Sequence, residues 1–201
     1  PTVDDLRYAN QLVKEHLSAP KGMLRISSVA SYGEYRLVPA LKRLRQRYPE
    51  LVIDLDLTDR LTDLTTNEVD IAIRATASLP ERAIARRLNT NECVLVAAPD
   101  YLAQHGEPTC IDDLRHHYTL LYRGPDRIID WQARTSSGWV EIKTKPTFVC
   151  NIGKELVNEA EAGRGLALVP SWGVREQVAD GRLRALTLKD GTLALSRNDA
   201  A

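Results

Sequence analysis

Cysteine is scarce: Cys93, Cys110 and Cys150 are the only three in 201 residues, and none forms a C-x-x-C pair. An odd, widely spaced set excludes a disulfide framework and a thiolate zinc knuckle, and it fits a reducing, cytoplasmic compartment. An excess of one charge is missing too, with 27 Lys and Arg against 27 Asp and Glu. A neutral chain has no long-range field to draw it onto phosphates or an anionic membrane, so it is not expected to bind nucleic acid unaided. Long apolar runs are also lacking. Stretches such as Val94 to Pro99 and Leu166 to Pro170 are too short to cross a bilayer, and no basic-then-apolar leader opens the chain. No G-x-S-x-G, H-E-x-x-H or G-K-[ST] motif occurs. No catalytic residue, metal ligand or cofactor is therefore expected. What remains is 43% hydrophobic and 27% charged, an ordinary globular balance long enough for one large domain or two small lobes. The chain opens at Pro1 rather than Met and is expected to be a piece of something longer.

The first 75 residues read βαβαβ after an opening helical stretch that Pro20 and Gly22 halt. Leu24 to Val29 is a strand, Leu37, Leu41, Leu44 and Tyr48 share a helical stripe, and Leu51, Ile53, Leu55 and Leu57 alternate with polar positions. A short helix over Asp59 to Glu68 leads to the apolar strand Val69 to Ile73. The centre predicts strands at Ala83 to Leu88, Glu92 to Ala98, Thr119 to Tyr122, Ile128 to Ala133, Trp139 to Lys143 and Thr147 to Cys150. A helix over Asn151 to Ala162, a buried strand at Leu166 to Val169 and a last helix from Ser171 to Ala179 resume the α/β pattern. A lobe interrupted by another, with crossings near Ala98 and Leu166, is a hinged two-lobe design with its ligand cleft between the lobes.

Candidate binding residues cluster at helix starts and strand ends. Ser31-x-x-Glu34 is a capping box, which either only caps its helix or also presents Ser31 and neighbouring N–H groups to a carboxylate. Asn151 ends a strand and opens a helix in the same way, with Gly153 letting a ligand approach the backbone. Arg74 ends the third strand, where it can neutralise an acid or pair with Asp59 or Asp70. Asp54 and Asp56 read as a solvated strand face, and the adjacent His116 and His117 lack the i, i+4 spacing of a zinc pair. Pro39 inside the first helix implies a kink or a later start. Arg36, Arg43 and Arg47 beside Leu37 and Leu44 are either a dimer face or a wet helix surface.

Several ordered stretches resemble the effector-binding domain of LysR-type transcriptional regulators: Gly22-Met23-Leu24-Arg25-Ile26, Ser31-Tyr32-Gly33, Leu37-Val38-Pro39, Tyr48-Pro49-Glu50-Leu51 and Val69-Asp70-Ile71-Ala72-Ile73-Arg74. Ala98-Pro99-Asp100-Tyr101-Leu102, Gly163-Arg164-Gly165-Leu166-Ala167-Leu168-Val169-Pro170 and Gly181-Arg182-Leu183 continue the match to about residue 188. The resemblance implies a type II periplasmic-binding-protein-like α/β fold of two subdomains. It assigns 1–21 to the end of a linker helix, 22–98 and 167–201 to subdomain I, and 99–166 to subdomain II, with the winged helix-turn-helix domain absent from this chain. It implies an effector between the lobes at Val29, Ala30, Ser31, Tyr32, Thr58, Arg74, Ala75, Asn151 and Gly153. Arg36, Leu37, Arg43, Leu44 and Arg47 are expected to face Glu155 and Glu159 of a second copy in a homodimer or homotetramer, with DNA reached only through the missing domain. A secreted solute-binding protein of the same fold is the alternative. The chain departs from the family pattern at Leu64-Thr65-Thr66-Asn67-Glu68, where a Gly commonly precedes the aspartate strand, and after Leu188, where Asp190 to Ala201 is not expected to supply the family's further strand and closing helix.

Overall fold

The computed structural model describes residues 19–59, 68–75, 84–88 and 91–196. The expected linker helix, apart from its last residues, and most of the expected helix over Asp59 to Glu68 lie outside this set. The smaller lobe is a parallel sheet of β1 (Gly22–Ser28), β2 (Leu51–Leu57) and β3 (Ile71–Ile73), in the order β2-β1-β3. Its alternation is as read: Leu51, Ile53, Leu55 and Leu57 are half-buried while Val52, Asp54 and Asp56 are exposed. The connection from β1 to β2 is helical. It runs through α1 (Ala30–Tyr32), a π-helical stretch (Gly33–Leu37) and α2 (Val38–Arg47).

The π turn answers the question posed by Pro39. Without an N–H, Pro39 cannot bond back to Tyr35, and its ring would crowd that turn in a regular helix. One widened turn, in which the Val38 N–H reaches the Gly33 carbonyl, opens room before the proline. Gly33 is required on the sheet side, because a Cβ there would collide with the Leu57 side chain.

The larger lobe has a five-stranded sheet in the order β10-β4-β9-β5-β8. It comprises β4 (Cys93–Ala97), β5 (Tyr118–Tyr122), β8 (Lys145–Cys150), β9 (Leu166–Pro170) and β10 (Arg184–Leu186). A second sheet holds β6 (Gln132–Thr135), β7 (Gly138–Glu141) and β11 (Thr192–Ala194), ordered β11-β6-β7. Helices α3 (Pro99–His105), α4 (Gly153–Glu161) and α5 (Arg175–Ala179) and two 3₁₀ turns complete it. Both faces of the five-stranded sheet are covered, as parallel pairing at β5 requires. Leu95, Ala97, Leu121, Leu166 and Leu168 pack on one side with Tyr101, Leu114 and Trp131. Val96, Leu120, Ala167 and Val169 pack on the other with Leu156, Val157 and Ala160 of α4.

This pairing corrects the lobe boundaries expected at 98 and 166. Val94 to Val96 of β4 run antiparallel to Val169 to Ala167 of β9, so both strands are interior to one sheet, and residues 91–196 form a single lobe. The strand after Leu188 does form, as β11, but it pairs with β6 rather than extending the smaller sheet. Residues 84–88, expected to be a strand, have no regular structure and are exposed. Ile128 makes only an isolated bridge to Arg123, so β6 begins later than the sequence suggests.

One histidine is deeply buried. His117 Nδ1 lies 3.1 Å from the Tyr101 hydroxyl, which also accepts the Tyr118 N–H at 3.0 Å. Burial, then the like charge of His105, lowers the His117 pKa against an opposing pull from Asp113, with His116 adding the least to the lowering. The unfolded chain therefore binds a proton first, so stability is complete above the ordinary imidazole pKa of about 6.5 and declines as pH falls below it toward the lower folded value. Urea midpoints of the wild type should decrease with acidification across that window, and His117→Gln should flatten this part of the profile. In the same assay Leu168→Ala, which empties a fully packed site, should cost about 2–5 kcal/mol without changing the slope on urea.

Candidate functional site

Parallel register decides where the loops emerge. Ser28 is paired with both Leu57 and Ile73, so the residues that follow, Val29, Thr58 and Arg74, leave the smaller sheet at one edge. The Val29 N–H donates to the Ile73 carbonyl at 3.3 Å and the Thr58 N–H to the Ser28 carbonyl at 2.9 Å, tying the three strand ends together. In the larger lobe β5 and β8 are also parallel, with Tyr122 paired to Cys150, and their carboxyl ends lead to Arg123 and Asn151. The two edges meet. Ligands in open α/β sheets lie outside the carboxyl ends of the strands, which makes this junction the candidate site.

Several contacts cross it. Asp59 accepts the Tyr122 O–H at 2.6 Å from the other lobe and the Ala30 N–H at 3.3 Å from its own. Ser31 lies so near Gly153 that a Cβ on the glycine would sit 2.8 Å from the serine Oγ. The Tyr32 ring meets Trp172 edge-on at 5.3 Å, and Tyr35 meets it at 6.4 Å. Glu34 and Lys154 add an exposed ion pair at 3.6 Å.

Arg74 is half-buried at the same edge, donating to the Ser27 Oγ at 2.6 Å and to the Ile73 carbonyl at 2.9 Å. Burial lowers its pKa, while the negative charges of Asp56 and Asp59 oppose that shift. The Tyr122 hydroxyl is pushed in the opposite sense. Burial, then the hydrogen bond to the Asp59 carboxylate, raises its pKa and keeps it a protonated donor.

The sequence expectations therefore divide. Val29, Ala30, Ser31, Thr58 and Arg74 share one edge, and Ser31 faces Gly153 as two opposed lobes require. The capping box does not form. The helix begins at Ala30 with Val29 in the cap position and no side-chain cap, and Asp59 from the next strand end supplies the acceptor. Asn151 is exposed, and Ile152 occupies the cap of α4 with no side-chain bond. Tyr32 packs on Trp172, and Ala75 is exposed. Arg74 pairs through Ser27, whereas Asp70 accepts the Arg25 N–H at 2.8 Å. Asp59 enters here as a bridging group rather than only as an arginine partner. Tyr122 and Trp172 were not anticipated, although Tyr122 is the last residue of a recognisable strand, where an outward polar tip is the available signal. On the helix surface, Arg36, Arg43 and Arg47 are exposed and Leu37 and Leu44 half-buried. On α4, Glu155 accepts from Asn158 at 3.2 Å and Glu159 pairs with Arg164 at 3.3 Å.

Two α/β lobes whose strand ends face one another across a junction are the arrangement of a type II periplasmic-binding-protein-like fold, and comparison with solved structures agrees. CrgA from Neisseria meningitidis superposes with a TM-score of 0.76 at 25% identity over 94% of this chain and 67% of that one. The CrgA regulatory domain alone gives 0.73, with 90% and 93% covered. The chain belongs to the LysR substrate binding domain family, whose model matches residues 18–197. It is 37% identical over 165 residues to the HTH-type transcriptional regulator DmlR of Escherichia coli K12, covering 82% of this chain and 54% of that protein. The HTH-type transcriptional activator TtdR of Escherichia coli UTI89 is 30% identical, with 82% and 53% covered. The chain thus spans about half the length of these curated relatives.

The Ser31–Gly153 approach has a measurable consequence. Gly153→Ala forces the Ser31 hydroxyl to move, so in a double-mutant cycle the alanine should be tolerated better when Ser31→Ala has already removed the oxygen. A coupling of at least about 0.5 kcal/mol in urea unfolding is expected.

Proposed function

We propose that this chain is the effector-sensing and oligomerisation part of a bacterial LysR-type DNA-binding transcriptional regulator, working in the cytoplasm and binding without catalysis. The observation that carries the reading is the meeting of two strand-end edges, with Arg74 on one and Tyr122 and Gly153 on the other. A small molecule held there touches both lobes. It then shifts the balance between lobe arrangements by whatever difference in affinity it has for them, typically a coupling of about 1–3 kcal/mol. The family resemblance supports a readout through oligomer geometry, with the α2 surface carrying Arg43, Leu44 and Arg47 set against Glu155 and Glu159 of a second copy. Contact with DNA then belongs to a winged helix-turn-helix domain in the remaining length of the regulator. Among the described residues no helix is long and apolar enough to cross a membrane, and the relatives are named as transcriptional regulators. The relatives' role favours this reading over the secreted solute-binding alternative.

The ligand class proposed is a small organic acid. Arg74 is the cation at this edge suited to a carboxylate, which would compete for its planar guanidinium with the Ile73 carbonyl and the Ser27 hydroxyl. Asp59 lies on the same edge and repels a second negative group, so one acidic group paired with a hydroxyl or amide that can reach Tyr122 or Ser31 suits the edge better than a polyanion. A thermal-shift screen of the chain against mono- and dicarboxylates, hydroxy acids and amino acids should find stabilising compounds. Arg74→Lys, which keeps the charge but loses the paired geometry, should weaken the best hit by roughly tenfold or more. Equal stabilisation of wild type and Arg74→Lys by that hit would place the ligand elsewhere.

A further inference from the structure

We propose that the Asp59–Tyr122 hydrogen bond is a latch that holds the two lobes at their observed spacing, so that its presence or loss sets how closely the two strand-end edges meet. The inference rests on the two-lobe sensing role above and assigns its regulation to a particular pair.

The interactions that span the lobes among the described residues differ in physical character. The Glu34–Lys154 pair joins two largely exposed side chains at 3.6 Å, and water screens it. At Ser31 and Gly153 the lobes lie too close to admit a Cβ on the glycine, which is close packing rather than a directional bond. The contacts of Tyr32 and Tyr35 with Trp172 are edge-to-face ring packing, tolerant of sliding. The Tyr122 O–H and the Asp59 carboxylate, at 2.6 Å, instead form a short charge-assisted hydrogen bond across the junction.

Its anchoring on both sides is asymmetric in a useful way. Tyr122 ends β5, where the Arg123 N–H donates to the Cys150 carbonyl at 2.9 Å and the Ile129 N–H donates to the Tyr122 carbonyl at 2.8 Å, so its backbone is fixed in the larger lobe. Asp59 lies one residue beyond Thr58, whose N–H is bonded to the end of β1, and its other oxygen accepts from Ala30 at the start of the helical connection. Opening the lobes breaks the Tyr122 bond while Asp59 keeps its Ala30 contact. The smaller lobe therefore remains intact when the latch releases. A ligand group that engages Tyr122 or Asp59 competes for the same atoms, which couples occupancy of the cleft to lobe spacing.

Trp172 provides a reporter. Its indole belongs to the larger lobe, donating to Asn91 at 3.1 Å, and its ring is touched by Tyr32 and Tyr35 of the smaller one. Trp131 is wholly buried inside the larger lobe and serves as an internal control. In ligand-free chain labelled with 5-fluorotryptophan, with the Trp172 signal assigned from Trp172→Phe, fluorine NMR should show the Trp172 resonance shifted or broadened in Tyr122→Phe. Trp131 should stay in place. Asp59→Ala should move Trp172 in the same direction, and adding Tyr122→Phe to it should move Trp172 no further, because Asp59→Ala already removes the Tyr122 bond along with the Ala30 contact. Loss of a hydrogen bond to a charged acceptor should raise the open fraction roughly tenfold. Glu34→Gln should leave Trp172 where it is. A Trp172 resonance unchanged by Tyr122→Phe would overturn the latch, as would Glu34→Gln shifting it equally. Tyr122→Phe removes one oxygen and decides between these outcomes even if Asp59→Ala does not fold. Because no ligand is added, failure here leaves the thermal-shift test of the binding role standing.

Discussion

A parallel strand cannot return to its neighbour through a tight turn, so every crossover carries the chain over the sheet and leaves all the strand ends of one sense at a common edge. That constraint underlies the arrangement here. In the smaller lobe it gathers the residues after β1, β2 and β3, and in the larger lobe it gathers those after β5 and β8. Most backbone groups at the strand ends bond within their own sheet, but the Tyr122 hydroxyl finds its partner across the junction. Setting the two edges against each other lets Asp59 satisfy both a helix-start N–H and a phenol from across the gap. The same geometry that completes the backbone bonding thus creates the place where a ligand can interfere.

The lobes are built to different standards. The larger one covers both faces of its five-stranded sheet and buries Trp131, Tyr101 and a dense set of Leu and Val side chains. In the smaller one, Ile26 and Leu41 are the buried hydrophobic side chains among the described residues, while Met23 and Val52 remain more than half exposed on the face opposite the leucines. Among the described residues, the smaller lobe thus removes less apolar area from water. Among the described residues, a short charge-assisted hydrogen bond joining the two bodies suits a device that must respond to a weak signal.

Much of this was legible in the sequence because periodicity reports burial directly. Leu51, Ile53, Leu55 and Leu57 against Val52, Asp54 and Asp56 marked β2 from end to end, and the apolar runs around Val96 and Leu168 marked interior strands. The same runs could not say which sheet they join. Hydrophobicity on both faces is common to all interior strands, and the sheet to which β4 and β9 belong is decided by pairings between distant residues. The site shows the same division. Strand ends at Val29, Thr58 and Arg74 followed from the βαβ pattern. The occupant of the helix start did not, since a serine in a capping spacing and an aspartate from another loop compete for one N–H, and only three-dimensional proximity favours Asp59. Ordered short motifs outlast such local ambiguity, which is why the family was recognisable while individual roles at Asn151 and Ser31 shifted.

The central claim is that one ligand bridges two opposed strand-end edges. Hydrogen exchange read by mass spectrometry, with and without a stabilising small acid, tests it most directly. The account predicts slowed exchange in peptides covering residues 28–31 and 74–75 together with those covering 122–123 and 150–153, and no comparable change in β6, β7 or β11. Protection confined to one lobe, or centred away from both edges, would contradict it.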